Sequence, residues 1–229
     1  MRIAFLHGAG CTADVFGAQV RGLEDARAIR LPGHDGADEG PATIAAFADA
    51  VEHQLEPAPE GTLLCGHSMG GAIALEIGLR GRAGIRGLVL LGSGAKLRVA
   101  PAIFELLERD FAAGARALAE SYFAQPRSDR IETAVAQMLF VGQAQTVRDF
   151  RACDAFDTTG RLAALPVPLL AITGANDALT PPKFAQFLAD RVPVGSARIL
   201  DEAGHFAMVE RPEETNALIR AFAAQMDLG

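Results

Sequence analysis

Gly66-His67-Ser68-Met69-Gly70, with a second glycine at Gly71, sets a hydroxyl where the chain must turn sharply. The apolar run Thr62-Leu63-Leu64-Cys65 before it reads as a buried strand. Gly71-Ala72-Ile73-Ala74-Leu75-Glu76-Ile77 after it reads as a helix, so Ser68 falls on the corner between them. So tight a turn forces the corner residue into a strained backbone conformation and leaves almost no room for a side chain two positions away on either side. Glycines at 66 and 70 meet that need. The corner exposes the Ser68 hydroxyl at the carboxyl edge of a sheet and sets the N–H of Met69 at the positive end of the following helix. A serine so placed suits nucleophilic attack, for which it needs a base within hydrogen-bond reach and an acid to orient that base. Its plainer role is to cap the helix. Candidates for base and acid follow downstream. A strand signal over 169–174 ends in Ala175-Asn176-Asp177, and Ala197-Arg198-Ile199-Leu200 leads into Glu202-Ala203-Gly204-His205. Asp177 also suits capping of a helix that starts near Pro181, and Asp201 is closer in sequence to His205 but stands within or at the end of its strand.

The elements that must carry these side chains show in the periodicity. Strand patterns near residues 2–6, 26–31, 62–66, 87–92, 168–173 and 197–201 alternate mostly with helical patterns. This predicts an α/β fold: a doubly wound, mostly parallel sheet of about six strands with helices on both faces. The stretch 95–163 breaks the alternation and predicts consecutive helices, an insertion into a core formed by 1–94 and 164–229. Pro101 opens the first, with Ile103, Leu106, Leu107 and Phe111 on one face. Leu118, Tyr122 and Phe123 mark a second, Ile131, Val135, Met138 and Leu139 a third, and Val147 and Phe150 a fourth. Basic and acidic residues are equal in number over this stretch, which favours neutral substrates.

At this point the chain resembles the α/β-hydrolase superfamily over nearly its whole length. The resemblance rests on Phe5-Leu6-His7-Gly8, the corner at Ser68, Gly174-Ala175-Asn176-Asp177 with Pro181-Pro182, and Gly204-His205 followed by Glu210-Arg211-Pro212-Glu213. The order Ser, Asp, His is the family's. The resemblance implies Ser68 as nucleophile, His205 as base and then acid, and Asp177 as the residue holding the imidazole. It implies an oxyanion hole from the backbone N–H groups of Ala9 and Met69, His7 and His67 as structural neighbours, and a strand order of 2-1-3-4-5-6. His34, in a turn, and His53, in an outer helix, do not suit the role of base. The helical insertion becomes a cap over the corner, with Met138, Leu139 and Phe140 expected to line the acyl pocket. The implied activity is hydrolysis of small or medium carboxylic esters through an acyl-enzyme, without cofactor or metal. Thioesterase, lactonase, aminopeptidase and carbon–carbon hydrolase chemistry use much the same machinery, and the fold also serves ligand receptors that catalyse nothing. Serine at the corner, in place of aspartate, argues against a dehalogenase.

One competing motif is present. Gly8-Ala9-Gly10-Cys11-Thr12-Ala13 fits a dinucleotide-binding fingerprint, with Arg30 where a 2′-phosphate would be met. His7 just before it, and a corner serine that such an enzyme does not need, weigh against that reading. The formal charge of −7 disfavours nucleic acid and anionic membrane as partners, leaving a small-molecule ester and water. Asp35, Asp38 and Glu39 do not match a calcium loop and are expected to be a solvated turn. The three scattered cysteines, Cys11, Cys65 and Cys153, lack metal spacing and read as reduced thiols, and the short start before His7-Gly8 does not look like a secretory signal. A cytoplasmic location is therefore expected.

Overall fold

The computed structural model describes residues 1–36 and 39–226. In chain order the elements are β1 (Arg2–Leu6), α1 (Gly17–Gly22), β2 (Ala26–Ile29), α2 (Ile44–Gln54), β3 (Thr62–His67), α3 (Met69–Leu79) and β4 (Ile85–Leu91). There follow α4 (Pro101–Arg109), α5 (Phe111–Ser121), α6 (Ser128–Val141) and α7 (Gln143–Asp154), then β5 (Leu169–Gly174), α8 (Pro182–Arg191), β6 (Gly195–Leu200), α9 (Ala207–Glu210) and α10 (Pro212–Met226).

The strands form one six-stranded sheet in the order β2-β1-β3-β4-β5-β6, with every pairing parallel. The expected order is the observed one, and β2 is an edge. Parallel strands must be covered on both faces, which is why β3 and β5 are apolar runs buried at every position and not alternating ones. Helices surround the sheet, α1 packing with α10 and α2 with α3. Nine of the eleven residues of α3 are buried, so the helix that follows Ser68 is locked in the core and its first turn cannot wander.

The winding sets β1 and β3 side by side, with Leu6 opposite Gly66 in register. The loops after both strands therefore open at the same edge, where the strand order reverses. Between β4 and β5 the chain leaves the sheet for α4–α7, which pack in a closed circuit, α4 on α5, α5 on α6, α6 on α7 and α7 back on α4. Phe111 starts α5 and does not end α4: the Asp110 side chain accepts from the N–H of Ala113 at 3.1 Å and begins a new helix there. Among the described residues, no helix is long and apolar enough to cross a membrane, and no three His, Cys, Asp or Glu side chains are grouped to hold a metal ion.

Candidate active site

Ser68 stands between β3 and α3 with φ 51° and ψ −114°, a strained conformation for a residue with a side chain. Its backbone is pinned from both sides. The N–H donates to the Leu91 carbonyl at 2.9 Å, and the carbonyl accepts from Gly71 N at 2.9 Å and from Ser93 Oγ at 2.8 Å. A Cβ on Gly66 would run into the Gly70 carbonyl and one on Gly70 into the Leu6 carbonyl, so close approach of the backbone is what both glycines permit.

His205 lies in the loop between β6 and α9, and its Nδ1 is 2.9 Å from Asp177 Oδ2. Asp177 follows β5 and is buried. It is held by the N–H groups of Leu179 (2.9 Å) and Thr180 (2.8 Å) on Oδ1, and by the Thr180 hydroxyl (2.7 Å) on Oδ2. An ionised carboxylate only accepts, so Nδ1 of His205 carries the proton in this bond and Nε2 is left to exchange one. Gly92, at the end of β4 with φ 50°, makes room for the pair. A Cβ there would sit 2.9 Å from the His205 carbonyl and 3.2 Å from Asp177 Oδ2. The rival Asp201 is exposed in the turn after β6. Glu210 ties the His205 loop to the segment after α5, accepting from Gly204 N at 2.6 Å and Gln125 N at 3.2 Å.

Burial alone would raise the Asp177 pKa, but the charge of His205 and the hydrogen bonds from His205 and Thr180 bring it down from 3.8 to about 2. A folded value below the ordinary one means that the carboxylate stabilises the fold fully above pH 3.8 and that this contribution fades as pH falls through about 2. Its size is about 2 kcal/mol. Denaturant titrations of wild type and Asp177→Asn at several pH values should show a stability gap that narrows by about that amount on acidification. A gap that stays constant with pH would contradict the assignment.

Ser68 and His205 line the same cavity of about 220 Å³, together with Ile103 of α4, Phe150 and Cys153 of α7, and Leu179. Of the residues expected to line an acyl pocket, none is on this wall. Met138 is buried, with its side chain packed against Gly10, and Leu139 and Phe140 are exposed. The correction has a simple cause: in the circuit of four helices, α4 and α7 face Ser68, while this turn of α6 packs over the β1 loop and into solvent. A second, smaller cavity of about 20 Å³ also reaches Ser68 and His205, walled further by Cys11, His67, Tyr122 and Phe206. Tyr122, noted in the sequence only as a helix marker, is stacked on Phe206 with ring centroids 4.6 Å apart.

Ala9 lines both cavities. Its N–H shares a peptide plane with the Gly8 carbonyl, and that carbonyl is anchored by His7 Nδ1 at 3.1 Å and Cys11 N at 3.3 Å. Anchoring the oxygen fixes the opposite direction for the N–H. His7 is neutral in this role: burial and the nearby His34 push its pKa down to about 3, and its Nε2 accepts from Leu31 N at 3.2 Å. His67 is also held far below its ordinary range by burial and by His205, and its Nε2 lies 3.2 Å from the His205 carbonyl. Cys11 is a buried thiol pushed up to about 12 by burial and by the Asp149 charge, which leaves no reactive thiolate. His34 is not the base but is more than a turn residue. It is a fully buried partner of Asp149, at 2.8 Å. The same Asp149 accepts from Gly10 N at 3.0 Å, so a carboxylate occupies the amide that a dinucleotide pyrophosphate would use, and the fingerprint at Gly8 does not serve that purpose. In the acidic turn, Glu39 pairs with Arg148 and Asp35 is exposed; Asp38 lies outside the described residues.

A parallel sheet that presents a serine at a strand-to-helix corner, and a histidine in the loop after its last strand, has the architecture of a hydrolase. The chain belongs to the alpha/beta hydrolase family, which matches residues 3–218. Among similar proteins is a pimeloyl-[acyl-carrier protein] methyl ester esterase of Aromatoleum aromaticum, 27% identical, the match covering 95% of this chain and 96% of the relative. A putative carbamate hydrolase of Azorhizobium caulinodans is 28% identical over 85% of this chain and 78% of its own. Among solved structures, a thermophilic esterase superposes with a TM-score of 0.88 at 28% identity, covering 98% of this chain and 90% of its own.

Proposed function

We propose that this protein is a serine esterase that cleaves carboxylic esters through an acyl-enzyme. The observation that carries the reading is that the strained Ser68 shares its cavity with His205, whose Nδ1 is held by the buried, ionised Asp177. In the first half-reaction Ser68 Oγ bonds to the ester carbonyl carbon as its proton passes to His205 Nε2. The oxyanion is met by the N–H groups of Ala9 and Met69, neither of which has a protein acceptor among the described residues. His205 then gives its proton to the departing alkoxide, and a water activated by the same nitrogen releases the acid and restores Ser68. The esterase relatives support the bond class, and α4 and α7 form the cap that selects the substrate. Three buried free thiols suit a reducing compartment such as the cytoplasm.

The two cavities specify the ester further. The 20 Å³ space has room for about one water-sized group, whereas the 220 Å³ cavity accepts a chain of several carbons. One side of the scissile bond is therefore limited to about a methyl group. Methyl hexanoate or hexyl acetate should be hydrolysed well, and hexyl hexanoate slower by roughly 10- to 100-fold, because overfilling a packed space costs about 1–3 kcal/mol. The panel should also hold a thioester, a lactone and a carbamate, with burst release of p-nitrophenol from an activated ester reporting the acyl-enzyme. No burst and no turnover of any ester would overturn the reading, and equal rates across the three alkyl esters would overturn the size limit.

A further inference from the structure

The cap reaches the oxyanion loop through a buried carboxylate. Asp149, on α7, is fully buried, and its Oδ2 accepts from both Gly10 N at 3.0 Å and His34 Nε2 at 2.8 Å. Its Oδ1 accepts from Gln145 Nε2 at 2.7 Å, and Gln145 Oε1 in turn accepts from Gly40 N at 2.7 Å. His34 Nδ1 lies 3.1 Å from the Pro32 carbonyl, so both ring nitrogens face acceptors and both carry protons. The ring is then an imidazolium, a buried counter-ion to the carboxylate. Burial pushes the His34 pKa down, but the bond to Asp149 and its charge outweigh this and raise it overall.

We propose that Asp149 is a positioning residue for ester hydrolysis: with His34 as its counter-ion, it fixes the Gly10 peptide and thereby aims the neighbouring Ala9 N–H at the oxyanion. The inference rests on the esterase reading. The Gly10 N–H and the Ala9 carbonyl share one peptide plane, and both ends of it are held, the N–H by Asp149 and the oxygen by the Cys11 thiol at 3.5 Å. Two residues on, Gln137 of α6 accepts from Thr12 N at 3.1 Å, so the cap grips the loop on both sides of Cys11. A carboxylate with a full countercharge is suited to this task, since a charge-assisted bond holds an amide more firmly than a neutral one. The arrangement couples the seating of the cap to the integrity of the oxyanion hole.

The test compares wild type with Asp149→Asn and His34→Gln, using an ester the wild type hydrolyses and a trifluoromethyl ketone carrying the same acyl group. Removing an oxyanion donor costs roughly 100- to 1000-fold in kcat, so a donor that is loosened and not lost should cost about 10- to 100-fold. The expected result is that kcat falls by that factor with KM within about 3-fold, and that the ketone, whose adduct fills the oxyanion hole, weakens in parallel. Folded variants that keep the wild-type kcat, or that lose activity through KM with ketone affinity unchanged, would overturn the proposal. If neither variant folds, amide exchange in the wild type decides: the Gly10 amide should be as protected as those of β1, and rapid exchange there rejects the clamp. A wild type that turns over no ester and is not labelled at Ser68 by a fluorophosphonate refutes the esterase reading itself. That outcome is distinct from an active enzyme indifferent to Asp149.

Discussion

Ser68→Ala should lower ester turnover by about a millionfold, the cost typical of deleting a nucleophile that works as a unit with its base. The fold should survive, because the hydrogen bonds that seat this residue are made by its backbone to Leu91, Gly71, Ala72 and Ser93. Alanine also keeps the strain at φ 51° without adding to it. What remains in the variant is the oxyanion hole and the cavity, so it should still bind the ester and the trifluoromethyl ketone weakly while giving no burst. Intact-mass analysis after fluorophosphonate treatment should show one adduct on the wild type and none on the variant. A folded Ser68→Ala protein with most of its activity would move the nucleophile elsewhere and remove the basis of the proposed function.

Asp177→Asn should cost roughly 10⁴-fold in kcat, close behind the loss of the nucleophile although Asp177 touches no substrate. The reason lies in the donors around it. Leu179 N and Thr180 N converge on Oδ1, so an asparagine would keep its oxygen there and turn its NH₂ toward His205 and Thr180. Nδ1 of His205 would then accept, its proton would move to Nε2, and the nitrogen that must take the Ser68 proton would already carry one. KM should change little. Asp201→Asn, in the exposed turn, is the matched control and should leave kcat within about 2-fold, as surface changes usually do. Equal losses in the two variants would return the assignment of the acid to doubt.

The contrast between Asp177 and Asp149 shows what is legible in a sequence. Asp177 is signalled locally: a six-residue apolar strand ends at Gly174, and an acid appears three residues later. Ser68, with glycines at 66 and 70, is signalled in the same way. Asp149 carries no such mark. It sits in a helix among polar neighbours, and its partners Gly10 and His34 are more than a hundred residues away. His34 reads as a turn residue for the same reason. Gly92 is one more glycine after a strand until His205 and Asp177 arrive against it from two other loops.

While the strand order came from the family resemblance, the sequence by itself determined the alternation of strands and helices and the corner and loops that bring chemistry to strand ends. Those follow from short-range causes: apolar runs of strand length, glycines where backbones touch, and the right-handed crossover that every parallel pair demands. Only the tertiary structure decided which helices of the insertion between β4 and β5 face Ser68. The amphipathic pattern of α6 marks a buried face but not what that face is buried against, so Met138 went to the β1 loop and the cavity wall to α4 and α7. It also decided that a space of about 20 Å³ adjoins Ser68 and His205, and that Asp149 of α7, paired with His34, reaches the loop after β1. Volumes and charge pairs of this kind belong to side chains brought together from distant parts of the chain, and helical periodicity, which repeats every few residues, carries no information about that distance.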